Sequence, residues 1–134
     1  MDSSEMIFVA KVVAATIGSA LTFLFGLPDA LLVALIAFII LDYMTGVVAA
    51  IIAGELSSKK GFKGILRKVM TLVPVVVAHV VDTAIKTGGV LRTAVISFLV
   101  ANEGISILEN TSRCGVPWPP KLKAVLEQLR NKEK

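Results

Sequence analysis

Long apolar segments constrain the fold of this chain more than any other feature. The densest covers residues 30–53, in which Asp42 is the single charged residue. A helix of this length rises ~36 Å, which is enough to cross the ~30 Å hydrocarbon core of a bilayer. Of the 134 residues 55% are hydrophobic and 18% charged, whereas soluble domains carry about a quarter charged residues. The composition therefore predicts an integral membrane protein.

Four segments are predicted to cross the membrane, and polar or helix-breaking residues separate them. They cover residues 7–27, 30–53, 69–86 and 90–108, and residues 109–134 follow as a polar tail. A cleaved signal peptide is the alternative for the first segment, but its acidic start and long apolar core favour an uncleaved span. We predict an all-α bundle of four transmembrane helices that forms one membrane domain, residues 1–134.

Basic residues are concentrated in two regions, and their positions predict the topology. One region is the loop between the second and third spans, with Lys59, Lys60, Lys63, Arg67 and Lys68. The other is the tail, with Arg113, Lys121, Lys123, Arg130, Lys132 and Lys134. Four spans place both regions on one side, whereas three would separate them. The positive-inside rule then predicts a cytoplasmic-membrane protein with both termini in the cytoplasm.

The basic loop and the tail are predicted to contact anionic lipid headgroups rather than nucleic acid. In the loop, Phe62, Ile65 and Leu66 recur on one side among the lysines, which is compatible with an interfacial helix. A solvated basic loop is the alternative, and the sequence leaves both open. In the tail, Trp118 lies in a proline-rich segment, and residues 121–134 have the spacing of a short amphipathic helix.

Ionisable residues inside predicted spans are candidates for function because hydrocarbon tolerates them only when they face protein or water. They are Lys11, Asp42, His79, Asp82, Arg92 and Glu103. Counted at ~1.5 Å per residue from the predicted cytoplasmic ends, Asp42 and His79 both lie ~15–16 Å deep, which predicts a pair. The same count pairs Lys11 with Glu103 and Asp82 with Arg92. Such pairs either hold the helices together or face water in a second state.

Small residues surround Asp42 on one face of its helix. Thr45 and Gly46 follow at i+3 and i+4, and alanines continue this face, so another helix is able to approach closely. Together with Asn102 and the ionisable residues Asp42, His79, Asp82, Arg92 and Glu103, they form the predicted assembly or gating set.

A metal site or a catalytic site is not expected. His79 and Asp82 share a helix face, but two ligands are too few, and Cys114 is the only cysteine. The chain has no glycine-rich phosphate loop, no HExxH and no GxSxG motif. We therefore expect no cofactor and no enzyme activity.

Three separated motifs occur in order along the chain. They are DYMTG at 42–46, GELSSKKG at 54–61 continuing as GILRK at 64–68, and NEGISILEN at 102–110 followed by GVPWP at 115–119. In these the chain resembles the holins of Gram-positive bacteria and their phages, which serve phage lysis and toxin secretion.

The resemblance implies a protein that oligomerises with itself and permeabilises the membrane at a programmed time, releasing endolysin or toxin. It also implies a shorter antiholin product as a partner, for which Met6 offers a second start. Asp42 and Glu103 are the residues we expect to control assembly or triggering. A small oligomeric ion or metabolite transporter and a non-conducting membrane scaffold are the alternatives.

Overall fold

The structure is a computed structural model, and it describes residues 1–131. Lys132 and Lys134 of the predicted basic tail lie outside the described residues. The described part is helical and contains no strand. Its six helices are α1 (Ser3–Phe25), α2 (Ala30–Ile52), α3 (Ser58–Met70), α4 (Val73–Ile85), α5 (Val90–Arg113) and α6 (Pro120–Asn131).

Polar side chains cap the N-termini of the first three helices. Asp2 and Glu5 form a reciprocal capping box at the start of α1. The Asp29 carboxylate accepts from the Leu32 backbone N–H at 2.9 Å, and the Ser57 hydroxyl accepts from that of Lys60 at 3.2 Å. These caps satisfy backbone donors that a helix leaves free in its first turn.

The predicted all-α membrane architecture with four spans is confirmed. Four helical segments are long and apolar enough to cross a membrane: Ser3–Phe25, Ala30–Ile52, Ser58–Ile85 and Val90–Arg113. The third begins at residue 58, not 69, because the basic region is the helix α3. Only Thr71 and Leu72 separate α3 from α4. Pro74 explains this break, since proline cannot donate a hydrogen bond to the preceding turn and its ring crowds that turn.

The core lies between α2, α4 and α5. Leu35, Val75 and Ile96, one from each helix, are its largest fully buried side chains. The longest interface joins α2 to α5, and α6 turns back to pack on α5. By contrast, α1 touches mainly α4 and has no buried residue. The bundle therefore consists of a packed group of helices with α1 at its edge.

Candidate functional site

A half-buried cation contacts two buried carboxylates where α2, α3 and α5 meet. Asp42 is 4% exposed and Glu103 is 3% exposed. The Lys68 ammonium donates to Asp42 Oδ2 and, at 2.7 Å, to Glu103 Oε2. Its side chain is 24% exposed, so it reaches the two acids from the edge of the bundle. Two acids on two different helices thus share one cation.

Neutral donors from α5 complete the shell of Asp42. Ser106 Oγ donates to Asp42 Oδ1 at 2.7 Å, and Asn110 Nδ2 donates to the same oxygen at 2.8 Å. Glu103, Ser106 and Asn110 are spaced i, i+3 and i+7, so they lie on one face of α5. We call Asp42, Lys68, Glu103, Ser106 and Asn110 the Asp42 cluster.

The small residues after Asp42 belong to the same region. Thr45 Oγ1 donates to the Leu41 carbonyl at 2.8 Å and accepts from Asn110 at 3.2 Å. A Cβ added at Gly46 would lie 3.4 Å from Asn110 Nδ2. The small-residue face thus packs against α5, as the pattern predicts for a close helix contact.

The predicted pairs Asp42–His79 and Lys11–Glu103 are wrong, because Lys68 is the partner of both acids. The depth count began the third span at residue 69, which left Lys68 outside the membrane. In fact α3 lies beside the second half of α2, where Tyr43 Oη donates to the Gly61 carbonyl at 3.3 Å. This contact brings Lys68 to the depth of Asp42. Lys11 is exposed on α1.

A second polar group lies at one end of the helices, around a buried arginine. Arg92 is 7% exposed. Its guanidinium donates to Asp29 Oδ2 at 2.7 Å, to the Phe25 carbonyl at 2.7 Å and to the Leu27 carbonyl at 3.0 Å. It therefore ties the turn between α1 and α2 to the start of α5. The bond from Arg92 also holds the pKa of the Asp29 carboxyl below its usual value.

Asp82 completes this end as a cap for α5. Its carboxylate accepts from the backbone N–H groups of Arg92 at 2.7 Å and Leu91 at 3.0 Å, and from the Thr87 hydroxyl. The predicted pair between the Asp82 carboxylate and the Arg92 guanidinium is therefore wrong. Asp82 bonds to the backbone N–H of Arg92, and the guanidinium bonds to Asp29 and two carbonyls. A carboxylate suits this place, since the first turn of a helix favours negative charge.

His79 joins this second group, which we call the Arg92 cluster (Asp29, His79, Asp82 and Arg92). A Cβ added at Gly26 would lie 3.1 Å from the imidazole and 3.0 Å from Arg92 Nε. Gly26 also has a φ of 79°, so this turn requires glycine on two grounds.

The remaining predicted residues lie apart from both clusters. Asn102 is exposed on α5. Trp118 is half-buried, and its indole N–H donates to Thr111 Oγ1 at 2.7 Å, which fastens the proline-rich segment to the end of α5. The basic residues Lys59, Lys60, Lys63 and Arg67 are exposed on α3. Within residues 1–131 no three potential ligands come together to hold a metal ion.

Sequence reasoning missed Ser106, Asn110 and Asp29 as site residues, and it assigned Lys68 to lipid only. The i, i+3, i+7 spacing with Glu103 was the available signal for the first two. Asp29 follows a proline and precedes an apolar run, which is the pattern of a helix cap.

The sequence was compared with family profiles and with known proteins. A sequence profile of the bacteriophage holin family matches residues 19–131. The chain belongs to the bacteriophage holin family. With its four apolar helical segments, this holin is a multi-pass membrane protein. The family is not an enzyme family.

Several relatives of this holin resemble it over most of their length. An uncharacterised 14.9 kDa protein in the nagH 3′ region of Clostridium perfringens is 44% identical over 119 residues, covering 88% of this chain and 90% of the relative. An uncharacterised protein of Listeria monocytogenes is 46% identical over 109 residues, covering 81% of this chain and 78% of the relative. A probable holin of Bacillus phage phi105 is 41% identical over 80 residues, covering 60% and 59%. No solved structure matches.

Proposed function

We propose that this holin assembles with copies of itself in the cytoplasmic membrane and permeabilises it at a programmed time. The lesion would release endolysin for host lysis or would let a toxin leave the cell. The observation that carries the proposal is the Asp42 cluster, in which two buried carboxylates and a half-buried lysine from three helices meet inside a multi-pass membrane protein.

The Asp42 cluster suits a protein with two states. In the structure, Lys68, Ser106 and Asn110 satisfy the Asp42 carboxylate within one chain. Separating α2, α3 and α5 would leave these charges in hydrocarbon unless water or a neighbouring copy replaced the lost partners. The cluster therefore favours the closed bundle before triggering, and the same polar groups are suited to line water afterwards. This assigns Asp42, Glu103, Thr45 and Gly46 to assembly and gating.

Helix α1 is the proposed surface for contact between copies. It spans Ser3–Phe25 and has no fully buried residue, although it is long and apolar enough to cross a bilayer. Ala10, Ala14 and Gly18 recur every four residues on it, the spacing that lets helices approach closely in lipid. A neighbouring copy would also give Lys11 polar surroundings within the membrane.

The distribution of charge supports the proposed orientation, with both termini in the cytoplasm. Arg113 Nη2 at the end of α5 lies 4.0 Å from Glu55 Oε2, just before α3. The basic helix and the basic tail are therefore at the same end of the bundle, where anionic lipid headgroups would attract them. Trp118 at this end suits the membrane interface.

A shorter product that begins at Met6 would serve as the antiholin. It would lack Asp2 and Glu5, the two residues of the capping box that begins α1. Replacing Met6 by leucine should remove this product and advance lysis. Unchanged products and unchanged timing would remove the proposal of an antiholin.

Controlled expression with a membrane-potential dye tests the proposed function. After a delay, the full chain should depolarise the cells abruptly and completely, and co-expressed endolysin should then lyse them. Graded currents that depend on a substrate would indicate a transporter instead. Full membrane insertion without any depolarisation would indicate a scaffold and would contradict the proposal.

A further inference from the structure

A groove of about 360 Å³ lies between α3, the second half of α2 and the end of α5. Tyr43 sets its shape. The ring of Tyr43 lies close enough to Gly64 that an added Cβ there would approach it to 3.3 Å, and Tyr43 Oη bonds to the Gly61 carbonyl. Helices α2 and α3 therefore touch at Tyr43, and the groove lies beside this contact, with Asn110 of α5 in its lining.

Two cations without a carboxylate partner line the groove. Lys60 and Arg67 are two turns apart on α3, ~10.5 Å along one helix face. Among the residues that the structure describes, neither forms an ion pair within 4.0 Å. Together they give this wall of the groove a positive charge that no acid of the described chain neutralises by contact.

The acids that line the groove are already engaged. Asp42 lies at its floor, where Lys68, Ser106 and Asn110 occupy both oxygens of the carboxylate. Glu55 lies at the rim and faces Arg113 at 4.0 Å. An anion entering between Lys60 and Arg67 therefore meets two cations with no carboxylate of the chain bound to them.

The opposite wall of the groove is apolar. Val47 and Ala50 of α2 and Leu56 line it. An occupant must thus combine an anionic group for α3 with an apolar portion for α2. The groove borders helical segments that are long and apolar enough to cross a membrane. An arginine forms two parallel hydrogen bonds with a phosphate, and a lysine adds a second charge.

We infer that this groove binds the headgroup of one anionic phospholipid, with its phosphate between Lys60 and Arg67 and its first acyl carbons against α2. This inference rests on the proposed attraction of the basic helix to anionic lipid, and it places one lipid of that kind in a defined groove. Its floor is the Asp42 cluster, so a bound lipid would rest against the helices that the cluster joins.

Native mass spectrometry of the full chain in detergent tests the site, with dioleoyl phosphatidylglycerol and dioleoyl phosphatidylcholine as probes. The double variant K60Q/R67Q removes the two groove cations that have no carboxylate partner and leaves Lys68 in place. The matched control K59Q/K63Q removes two charges from the same helix, at positions that do not line the groove. Circular dichroism in the same detergent confirms that each variant is folded, and single variants replace any double variant that is not.

The wild-type chain should retain one phosphatidylglycerol per protomer in preference to phosphatidylcholine. K60Q/R67Q should bind it about tenfold more weakly or worse, and K59Q/K63Q should change binding by less than about twofold. Equal losses in the two variants would show diffuse attraction and overturn the site, as would no loss in either. Displacement by inorganic phosphate alone would overturn a lipid as the occupant. Native mass spectrometry measures lipid binding directly and does not depend on depolarisation. A negative result for the lipid site is therefore distinguishable from a negative result for the proposed function.

Discussion

Lys68 is the residue around which the buried charges of this holin are arranged. Two carboxylates from different helices point at one ammonium group, so each acid depends on a cation that the other shares. Breaking a buried pair by removing one partner typically costs about 3–5 kcal/mol, because the remaining charge stays buried. Asp42 retains Ser106 and Asn110 as neutral donors, whereas Lys68 is the single hydrogen-bond donor to the Glu103 carboxylate within residues 1–131.

Arg92 joins the turn between α1 and α2 to the start of α5 at one end of the bundle. Arg92→Gln should lower the free energy of unfolding in detergent by about 1–3 kcal/mol, because two carbonyls and Asp29 lose their donor. Arg92→Lys should not restore it, since an ammonium cannot reproduce the planar fork of donors. Thermal unfolding followed by circular dichroism measures the effect.

Arg113→Gln is the control for Arg92. Its pair with Glu55 is 4.0 Å long and both side chains are more than half exposed, so the variant should change stability by less than about 0.5 kcal/mol. Equal losses in Arg92→Gln and Arg113→Gln would contradict the role given to the Arg92 cluster.

The four spans could be predicted from the sequence, whereas the position of α3 beside α2 could not. Apolar runs are readable because crossing a bilayer requires about 20 apolar residues, and the four spans follow from them. The partners of Asp42 and Glu103 were not readable, because they depend on α3 running beside α2. That placement comes from the Tyr43 contact with Gly61 and Gly64, a tertiary contact without a periodic signal in the sequence.

Helix α6 is held by a glycine on α5. A Cβ added at Gly104 would lie 3.1 Å from Leu126 and 3.3 Å from Phe38, both tight contacts. Gly104→Val should therefore displace α6 from α5 and expose the bonds after Lys121 and Lys123 to trypsin. Limited proteolysis in detergent should show cleavage several-fold faster than in the wild type.

The variant Gly104→Ala separates contact with α6 from damage to α5. Its single methyl group meets the same leucine, so Leu126→Ala in the same chain should restore protection at least in part. Two results together would contradict the docking of α6 through this glycine. Trypsin would cleave the double variant Gly104→Ala/Leu126→Ala as fast as Gly104→Ala, and it would cleave Leu126→Ala alone slowly.

At the scale of the whole molecule, the Arg92 cluster lies at one end of the spanning helices, whereas Asp42 and Glu103 lie near the middle of α2 and α5. The Arg92 cluster ties the turn between α1 and α2 to the turn between α4 and α5. The Asp42 cluster joins α2, α3 and α5 beside the basic helix. The end of the bundle at Arg92 is thus tied largely through backbone groups, whereas contacts between polar side chains dominate around Asp42.

The proposed topology is measurable with the single cysteine. Cys114 follows α5 at the basic end, so a membrane-impermeant maleimide should label it only after the cells are permeabilised. In a Cys114→Ser chain, Leu27→Cys should be labelled in intact cells, because its side chain is exposed in the turn between α1 and α2. Labelling of Cys114 in intact cells would reverse the orientation, and equal access to both sites would contradict four spans.

The central claim, that the Asp42 cluster keeps the bundle closed until triggering, is tested most directly by the onset of depolarisation in Lys68→Gln. This variant leaves Asp42 and Glu103 without their shared cation, whereas Lys63→Gln removes an exposed charge from the same helix. At equal amounts in the membrane, Lys68→Gln should depolarise cells earlier than the wild type, and Lys63→Gln should keep the wild-type onset. An onset in Lys68→Gln that equals that of Lys63→Gln and the wild type, or follows it, would contradict the account.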